Sequence, residues 1–480
     1  MTTRDERSET HGGGASRRAD GAAGAMVAAA AGRESFPLLT EAVSIDSAPL
    51  FAENLRRGAK PADAWTCGVE FELFGYDASR RMARLDPAQV QRVLAGFAPS
   101  SNDLHYEGGT LIEVNAGQMN RLTVEPGGQI EFSGAPQRRL ADVEREIRRY
   151  LARLSEIAAG HNFVFLACGF DPLRTLAEQS WFPKSRYDVM RPYLARRGAR
   201  AWDMMTRTCA VQTNLDYGGD EDLRKKFIVG NRLAPVVTAI FANSPFEDGK
   251  LSGYKSARAA AWLSTDPDRA LLSPPALSDD FTPERFVAYA LEVPMLFAQR
   301  DGIYLGAPTG EKFGDFLARG CPGVEPQFGD WADHLTTIFT DARLKQHIEL
   351  RGADCGSLDD ALALQALWKG LLYDADALDE ALRLAPRLDL ASSNALRESV
   401  ARDALEARVD GVNIKDLAKE VVALAAGGLR RAAPDEVHYL DGLRARVVEE
   451  GVAPADILLR NFRGRWHGSL ERLVEYLRIA

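Results

Sequence analysis

The sequence has little cysteine, no long apolar run and no block of positive charge. Its five cysteines lie far apart in 480 residues and show no Cys-x-x-Cys spacing, which excludes a disulfide scaffold and predicts a reducing, cytoplasmic compartment. No apolar stretch approaches the length needed to span a bilayer. The net charge of −9 argues against nucleic acid or an anionic membrane as the main partner.

The chain is predicted to have three regions. Residues 1–34 are rich in Ala, Gly and Arg, a composition that predicts a disordered leader. No Ser/Gly/Pro linker divides residues 50–390, so residues 35–390 are predicted to form one large unit. Residues 391–480 have mostly helical spacing and are predicted to pack on the same unit as a helical C-terminal region. The sequence is compatible with both a monomer and a homodimer.

The spacing of apolar residues predicts the main helices outside the motifs discussed below. Helices are predicted over 138–159, 223–242, 283–297 and 470–477, and a buried strand over 163–169. Ser357 and Asp360 form a capping signal for a further helix that ends near Tyr373.

Four short stretches place acidic and amide side chains on one face of a predicted strand. They are residues 68–74, 125–133, 207–216 and 347–351. Because successive strand side chains point to opposite faces, Glu70 and Glu72 share one face, and Phe71 and Leu73 share the other. The same alternation assigns to the polar face Gln129, Glu131, Ser133, Gln212, Asn214, Glu349 and Arg351.

These strands predict a sheet with one apolar face and one acidic face. Taken singly, each could be the ordinary solvated face of an antiparallel strand. No lysine falls within the four stretches, however, and acids dominate them. Such a surface suits hard cations and phosphate, since magnesium prefers oxygen ligands and often shares them with substrate phosphates.

The same stretches belong to a longer series of motifs that runs in consistent order from about residue 48 to the C-terminus. The motifs are Gly68-Val-Glu-Phe-Glu72, Val124-Glu-Pro-Gly-Gly-Gln-Ile-Glu-Phe-Ser-Gly-Ala-Pro136, Pro183-Lys-Ser-Arg-Tyr187, Asp203-Met-Met-Thr-Arg-Thr-Cys-Ala-Val-Gln-Thr-Asn214, Phe241-Ala-Asn-Ser-Pro-Phe246, His334-Leu-Thr-Thr-Ile-Phe339 and Glu349-Leu-Arg-Gly-Ala-Asp354. In these motifs the chain resembles the plant-type glutamate–cysteine ligases of plants and many bacteria.

The resemblance implies a fold and a reaction. The implied fold is α+β, with a curved, mainly antiparallel sheet like that of glutamine synthetase and helices packed behind it. The implied reaction joins the γ-carboxylate of L-glutamate to the α-amine of L-cysteine through γ-glutamyl phosphate, with ATP as co-substrate, as the first step of glutathione biosynthesis. Two alternatives stay open: a γ-glutamyl ligase that uses another amine or amino acid, and a catalytically silent relative that binds nucleotide or amino acid.

The resemblance also implies a set of metal and catalytic residues. Two or three magnesium ions would be held by Glu70, Glu72, Glu125, Glu131, Gln212 and Glu349. Arg351, with Glu349, would act on the transferred phosphoryl group, and metals would replace the Gly-x-x-x-x-Gly-Lys-Ser/Thr phosphate loop, which the sequence lacks. For Gln212, a hydrogen bond to a neighbour is an equally good explanation.

Substrate-binding positions follow from the same resemblance. They are Arg258, Trp262, Lys184, Arg186, Tyr187, Arg207, Thr208 and Asn214. Arginine suits a carboxylate ligand because its planar fork binds both oxygens. The alternatives are an arginine stacked on a tryptophan one helical turn away for Arg258 and Trp262, and ordinary surface charge for Lys184 and Arg186.

One motif departs from the family pattern. The family commonly has Gly-Thr-Glu-His-Glu-Lys where this chain has Gly68-Val-Glu-Phe-Glu-Leu73. Both changed positions, Phe71 and Leu73, fall on the face opposite the glutamates, so metal binding is expected to persist. The departure leaves the acceptor amine open.

Overall fold

An antiparallel sheet lies at the centre of the protein, whose computed structural model describes residues 37–307 and 310–480. The strands are β1 Cys67–Asp77, β2 Ala83–Arg84, β3 Leu104–Glu107, β4 Thr110–Asn115, β5 Arg121–Val124, β6 Ile130–Ser133, β7 Phe163–Leu166, β8 Ala210–Leu215, β9 Phe246–Glu247, β10 Lys250–Leu251, β11 Ala270–Leu271, β12 Phe297–Arg300, β13 Ile303–Gly306, β14 Phe339–Thr340, β15 Ala342–Leu344, β16 Ile348–Asp354, β17 Arg408–Val409 and β18 Val412–Asn413.

Helices account for much of the remaining described chain. They are α1 Ala48–Arg56, α2 Pro87–Ala95, α3 Leu140–His161, α4 Ser185–Leu194, α5 Ala201–Arg207, α6 Asp220–Arg232, α7 Ala234–Ile240, α8 Ala257–Leu263, α9 Pro283–Glu292, α10 Phe313–Arg319, α11 Phe328–Thr336, α12 Leu358–Leu372, α13 Ala375–Leu384, α14 Leu390–Asp403, α15 Ile414–Ala432, α16 Asp441–Arg444, α17 Pro454–Arg463 and α18 Leu470–Leu477. Among the described residues, no helix is both long and apolar enough to cross a membrane.

The main sheet has ten strands within the described residues, and its strand pairs are antiparallel. The path is β15-β16-β8-β1-β6-β5-β4-β3, and β2 and β7 pair with the far end of β1. The four strands predicted from the motifs, β16, β8, β1 and β6, are therefore direct neighbours in the centre of this path.

The apolar face of these strands is covered by helices. Phe71 and Leu73 of β1 are fully buried, so their predicted place opposite the glutamates is confirmed. On this face Tyr150 of α3 stacks on Phe132 of β6 with ring centroids 4.7 Å apart. Behind β8, the Gln365 amide of α12 donates to the carbonyl of Gln212 over 3.1 Å. The helical layer leaves the opposite face of the sheet available for the polar side chains.

Most of the predicted elements are confirmed, and two differ at prolines. The predicted helices 138–159 and 470–477 match α3 and α18, and the Ser357 hydroxyl accepts from the amide of Asp360 at the start of α12. The helix predicted over 223–242 is divided at Leu233, because Pro235 lacks the amide hydrogen that a continuous helix needs. The helix predicted over 283–297 was wrong at its end: α9 stops at Glu292, ahead of Pro294, and Phe297 begins β12.

Residues 39–480 form one compact unit, and the other unit, residues 1–38, contains two described residues. The leader predicted for residues 1–34 lies outside the described residues. The boundary predicted at residue 390 stays a prediction.

Two helices behind the sheet touch through glycine backbones. A Cβ built on Gly428 of α15 would lie 1.9 Å from the carbonyl oxygen of Gly370 in α12, and one on Gly370 would lie 2.3 Å from the Ala425 carbonyl oxygen. Since both obstacles are backbone atoms in helices, a side chain at either position would force the helices apart.

The close contact of α12 and α15 predicts that substitutions at two adjacent glycines will have opposite effects on stability. Gly428→Ala should destabilise the protein by about 1–3 kcal/mol through overpacking. Gly427→Ala is the matched control, because its Cβ would meet only the end of Arg431 at 3.7 Å and alanine favours a helix by up to about 1 kcal/mol. Relative to the wild type, the thermal midpoint should fall for Gly428→Ala and should stay the same or rise for Gly427→Ala. Equal midpoints for the two variants would contradict the close contact of α12 and α15.

Candidate active site

The register of the central strands brings the predicted site residues side by side. Glu70 of β1 lies opposite Gln212 of β8 on one side and opposite Ser133 of β6 on the other. Glu72 lies opposite Glu131, and Glu349 of β16 lies opposite Asn214. Directly opposed side chains in an antiparallel pair have Cβ atoms about 4.5–5.5 Å apart. The polar side chains that the motifs predicted therefore form one continuous surface.

This surface forms one wall of a cleft of about 450 Å³. The cleft is lined by Glu70, Glu72, Glu113, Arg121, Thr123, Glu125, Pro126, Gln129, Glu131, Lys184, Arg186, Tyr187, Met190, Met204, Met205, Thr208, Ala210, Gln212, Arg258, Trp262, Thr336, Phe339, Arg343, Lys345 and Arg351. Of the predicted site residues, Glu349, Asn214 and Arg207 are absent from this lining.

One side of the cleft is crowded with carboxylates. Burial, reinforced by Glu349 and Glu131, raises the pKa of Glu70 to about 7. Burial and the neighbouring Glu125 likewise raise the pKa of Glu131 to about 7, and burial with Glu125 and Glu131 raises the pKa of Glu72 well above its usual range. These are the expected effects of removing like charges from water at close range.

Hydrogen bonds hold these carboxylates in place but do not neutralise them. Glu72 accepts from the amide of Ala210 over 2.7 Å and from the side-chain amide of Gln212 over 2.9 Å. Glu70 accepts from the Asn214 amide over 2.9 Å. Within the described part of the chain, no lysine or arginine forms an ion pair with Glu70, Glu72, Glu125 or Glu131. These four carboxylates therefore lack ion-pair partners in this part of the chain.

The chemistry of this acidic side suits a divalent metal ion, but the side chains are not gathered around one. Carboxylate oxygens are the ligands that magnesium prefers, and a cation would relieve the repulsion that raises the pKa values. Among the described residues, no group of three or more His, Cys, Asp or Glu side chains is close enough together to hold a metal ion. Side chains of the acidic side would have to turn toward a common point to enclose one.

The other side of the cleft concentrates positive charge on one carboxylate. Glu349 is fully buried, and it pairs with Arg343 over 2.6 Å, with Lys345 over 2.8 Å and with Arg351. Burial acts to raise the pKa of Glu349, yet the three cations hold it well below its usual range. Arg351 also donates to the side-chain oxygen of Gln212 over 2.6 Å. Two predicted magnesium ligands, Glu349 and Gln212, are thus engaged by Arg351 in this structure.

Arg343 and Lys345 lie outside the four polar stretches from which the site was predicted. Arg343 lies on β15, directly opposite Glu349, and Lys345 follows at the end of this short strand. The sequence does contain a signal for them. Arg343 and Lys345 alternate with the apolar Ala342 and Leu344, the same polar–apolar alternation that marks the four stretches.

The predicted glutamate clamp lies beside the strand of Arg351. Arg258, on α8, is 95 % buried and donates to the backbone carbonyls of Arg351 over 2.7 Å and of Gly352 over 3.3 Å. One turn later, Trp262 is buried against Phe339, and its indole N–H has no hydrogen-bond partner among the described residues. A buried donor without a partner is costly, so a ligand oxygen at this position would be favourable.

Lys184, just before helix α4, and Arg186 and Tyr187 in its first turn form part of the cleft lining. The Tyr187 hydroxyl donates to the carbonyl of Val124 over 2.8 Å, which ties α4 to the sheet. Burial and the nearby Arg186 lower the pKa of Lys184. Within the described residues, neither Lys184 nor Arg186 forms an ion pair.

The three predicted substrate positions that remain have different surroundings. Thr208 lines the cleft and donates to the Met204 carbonyl over 2.6 Å. Asn214 supports Glu70, as described above. Arg207 is buried over the ring of Phe170 and pairs with Asp203 over 2.8 Å and Asp248 over 2.6 Å. The structure therefore places the Arg207 guanidinium in an ion-pair network outside the cleft lining.

Residues 66–476 match the glutamate-cysteine ligase family 2. The chain belongs to this family. Its predicted membership of the plant-type glutamate–cysteine ligases is confirmed by relatives that bear this name. The chloroplastic glutamate–cysteine ligase of Brassica juncea is 38% identical over 447 residues, which cover 91% of this chain and 86% of the relative. The Arabidopsis thaliana enzyme is 38% identical over 91% of this chain and 85% of its own length, and glutamate–cysteine ligase B of Oryza sativa subsp. japonica is 37% identical over 92% and 90%.

A solved structure shows a similar fold. The glutamate–cysteine ligase of Francisella tularensis, crystallised in complex with AMP, aligns with a TM-score of 0.51 over 86% of this chain and 87% of its own chain, at 14% identity. This likeness and the antiparallel main sheet confirm the predicted α+β fold class of the family 2 chain.

The crowded carboxylates predict a pH dependence of stability for the metal-free protein. A carboxyl group whose folded pKa is raised binds its proton more tightly in the folded state, so its contribution to stability falls as pH rises from about 4.5 to about 7. The slope for one such group is at most about 1.4 kcal/mol per pH unit. Glu131→Gln removes the group. The thermal midpoint of this variant, relative to that of the wild type, should therefore increase between pH 5 and 7.5 when both are measured in EDTA.

The comparison between variants removes the opposing effect of the buried histidines. Burial lowers the pKa of His334 to about 3 and of His347 to about 4, and these groups raise stability with pH in both proteins. Glu144→Gln is the matched control, since a bond from Tyr439 lowers the pKa of Glu144 and its effect lies at lower pH. A difference between Glu131→Gln and wild type that stays constant with pH would disprove the raised pKa.

Proposed function

We propose that this protein is a glutamate–cysteine ligase that joins the γ-carboxylate of L-glutamate to the α-amine of L-cysteine at the expense of ATP. The observation that carries the proposal is a cleft with separate acidic and cationic sides on one sheet face, in a chain of the glutamate–cysteine ligase family. The reaction proceeds through γ-glutamyl phosphate and makes γ-glutamylcysteine for glutathione biosynthesis. The few, scattered cysteines support a reducing cytoplasm as its location.

The acidic side is the proposed magnesium site. Glu70, Glu72, Glu125 and Glu131 would hold the ions, and Glu349 and Gln212 would join them once Arg351 releases these two side chains. Magnesium, when bound, neutralises nucleotide phosphates and stabilises the charge of phosphoryl transfer. Two or three ions are consistent with the number of oxygen donors available.

Arg351 is the proposed contact to the transferred phosphoryl group. Before substrate arrives it is held between Glu349 and Gln212, which places its guanidinium beside the acidic side of the cleft. When metal and nucleotide bind, Arg351 would exchange these two contacts for the phosphoryl oxygens, whose developing charge it stabilises. Glu349 acts with it by holding the guanidinium in place until then.

The amino-acid site is proposed at Arg258 and Trp262. The two bonds from Arg258 to the carbonyls of β16 leave further guanidinium donors for a carboxylate, and the free indole N–H of Trp262 adds another. Lys184, Arg186, Tyr187 and Thr208 complete the amino-acid-binding surface. Asn214 and Arg207 act through neighbours, Asn214 by orienting Glu70 and Arg207 by supporting the segment that leads into β8.

The altered first motif bears on which amine accepts the γ-glutamyl group. Phe71 and Leu73 are buried in the core, so they do not face the substrates directly. This favours cysteine as the acceptor over the alternative of another amine or amino acid. Retention of the carboxylates together with Arg351 favours an enzyme over a silent binding protein.

Release of ADP tests the function directly. The purified protein, with magnesium, ATP and L-glutamate, should release ADP fastest with L-cysteine in a panel of α-amino acids and simple amines, and mass spectrometry should find γ-glutamylcysteine. An Arg351→Gln protein prepared in parallel controls for contaminating ligases. Faster turnover with another amine would replace cysteine as the acceptor, and no ADP release with any acceptor would leave only the silent relative.

The glutamate clamp predicts a selective change in kinetics. Arg258→Lys keeps the charge but loses the two-pronged geometry, so the KM for glutamate should rise about tenfold or more. The KM for ATP should change less than about threefold, since the clamp does not contact nucleotide in this proposal. Arg197→Lys is a suitable control, because Arg197 pairs with Asp266 and Asp268 outside the cleft lining. Equal rises in both KM values would assign Arg258 a different role.

A further inference from the structure

The two sides of the cleft are unequal in charge. On the acidic side, Glu70, Glu72, Glu125 and Glu131 have no cationic partner among the described residues. On the other side, three cations share the single carboxylate of Glu349, so this cluster has two more positive charges than negative ones. Burial and the nearby Arg351 lower the pKa of Arg343, as expected where cations crowd in a dry site. A polyanion with bound divalent cations would neutralise both sides at once.

The three cations differ in how far their donors are already used. Arg343 is buried, donates twice to Glu349 through Nη2 and once through Nε, and donates through Nη1 to the carbonyl of Thr336 over 2.9 Å. Lys345 is more exposed, with 28% of its side chain accessible, and its Nζ makes one contact of 2.8 Å, to Glu349. In the described part of the chain, the other two N–H bonds of Lys345 have no partner.

Lys345 also occupies a suitable place for a ligand contact. It lines the cleft with Arg351 and Glu70, and its backbone is fixed by a bond from its amide to the carbonyl of His347 over 2.9 Å. A lysine ammonium is a compact point charge that binds phosphate oxygens without a demand for one fixed geometry. A half-exposed lysine with free donors is thus better placed than the buried Arg343 to meet an incoming anion.

We propose that Lys345 binds the terminal phosphates of the nucleotide together with Arg351, while Arg343 is a positioning residue that holds Glu349 between them. This inference rests on the proposed function, and it adds two residues that the sequence motifs did not identify. When phosphate oxygens arrive, Lys345 exchanges its contact with Glu349 for them, while the bonds from Arg343 keep the Glu349 carboxylate in place.

The competing explanation is that Lys345 only neutralises the buried Glu349. Loss of Lys345 would then lower stability and impair turnover with every substrate, without a specific loss of phosphate affinity. Binding of phosphate probes in the absence of turnover separates the two explanations.

The experiment is a calorimetric titration of the whole protein with magnesium tripolyphosphate and with magnesium ATP, without glutamate. Lys345→Gln should weaken the affinity for both probes about 10- to 100-fold, as expected for the loss of a charged hydrogen bond, and Lys345→Arg should restore most of it. Lys60→Gln is the matched control, because Lys60 pairs with Asp216 and lies outside the cleft lining. This control should bind both probes like the wild type.

The outcomes distinguish this inference from the proposed function. If the wild type binds both probes tightly and Lys345→Gln binds them just as tightly, the inference about Lys345 is wrong and the proposed function stands. A wild-type protein that binds neither probe would overturn both. An unchanged KM for glutamate in Lys345→Gln supports the phosphate role, whereas equal losses for glutamate and phosphate would show that Lys345 only supports the fold.

Arg343→Lys tests the positioning role separately. The variant keeps the charge, so the affinity for magnesium tripolyphosphate should stay within about threefold of wild type. Without the double contact to Glu349, kcat should fall by roughly tenfold, because small displacements of a reacting group are costly. A normal kcat with only a lower thermal midpoint would show that Arg343 is merely structural.

Discussion

Repulsion between buried carboxylates is the constraint on which this site depends. Strand alternation, with the apolar face covered by α3 and α12, places Glu70, Glu72 and Glu131 next to each other on the remaining face. Their pKa values rise because each loses water and faces like charge. The same sheet places three cations on the fully buried Glu349. The folded chain thus places carboxylates without ion-pair partners beside a cluster with an excess of positive charge, an arrangement that favours a ligand made of metal cations and a polyanion.

The surrounding structure fixes the backbone that carries this arrangement. The turn that carries Glu125 is fastened by Gln129, which accepts from the amide of Gly127 over 2.9 Å and donates to the carbonyl of Thr208 over 2.9 Å. Buried Arg84 donates to the carbonyl of Gly127 over 3.0 Å. Gly127 must lack a side chain, because its Cβ would lie 2.4 Å from the carbonyl oxygen of Thr206. The turn, α5 and the start of β8 therefore act as one support for the acidic side.

The helices of the C-terminal region also support the site. Arg397 of α14 donates through Nε and Nη2 to Asp341 over 3.0 and 2.8 Å. The carbonyl of Asp341 accepts from the amide of Arg351 over 2.9 Å, and Arg258 binds the Arg351 carbonyl. The strand segment of Arg351 is therefore held on both sides, and part of this support comes from beyond residue 390. The close approach of α12 and α15 at Gly370 and Gly428 packs α15 against the helix that lies behind β8.

The sequence alone determined what local chemistry controls. Alternation along a strand is local, so the shared face of Glu70 and Glu72 and the buried face of Phe71 and Leu73 were predictable, as was the start of α12 from Ser357. Prolines changed two of the predicted helices, since Pro235 and Pro294 act through the backbone hydrogen bonds of their neighbours. Only the tertiary structure decided that β1, β8 and β16 are neighbours, because their paired residues lie more than a hundred positions apart and leave no local pattern. It thereby placed Glu349, with Arg343 of the adjoining strand and Lys345 at its end, beside Asn214 of β8, and it directed Arg207 toward Asp248, since both arrangements depend on the packing of elements distant in the chain.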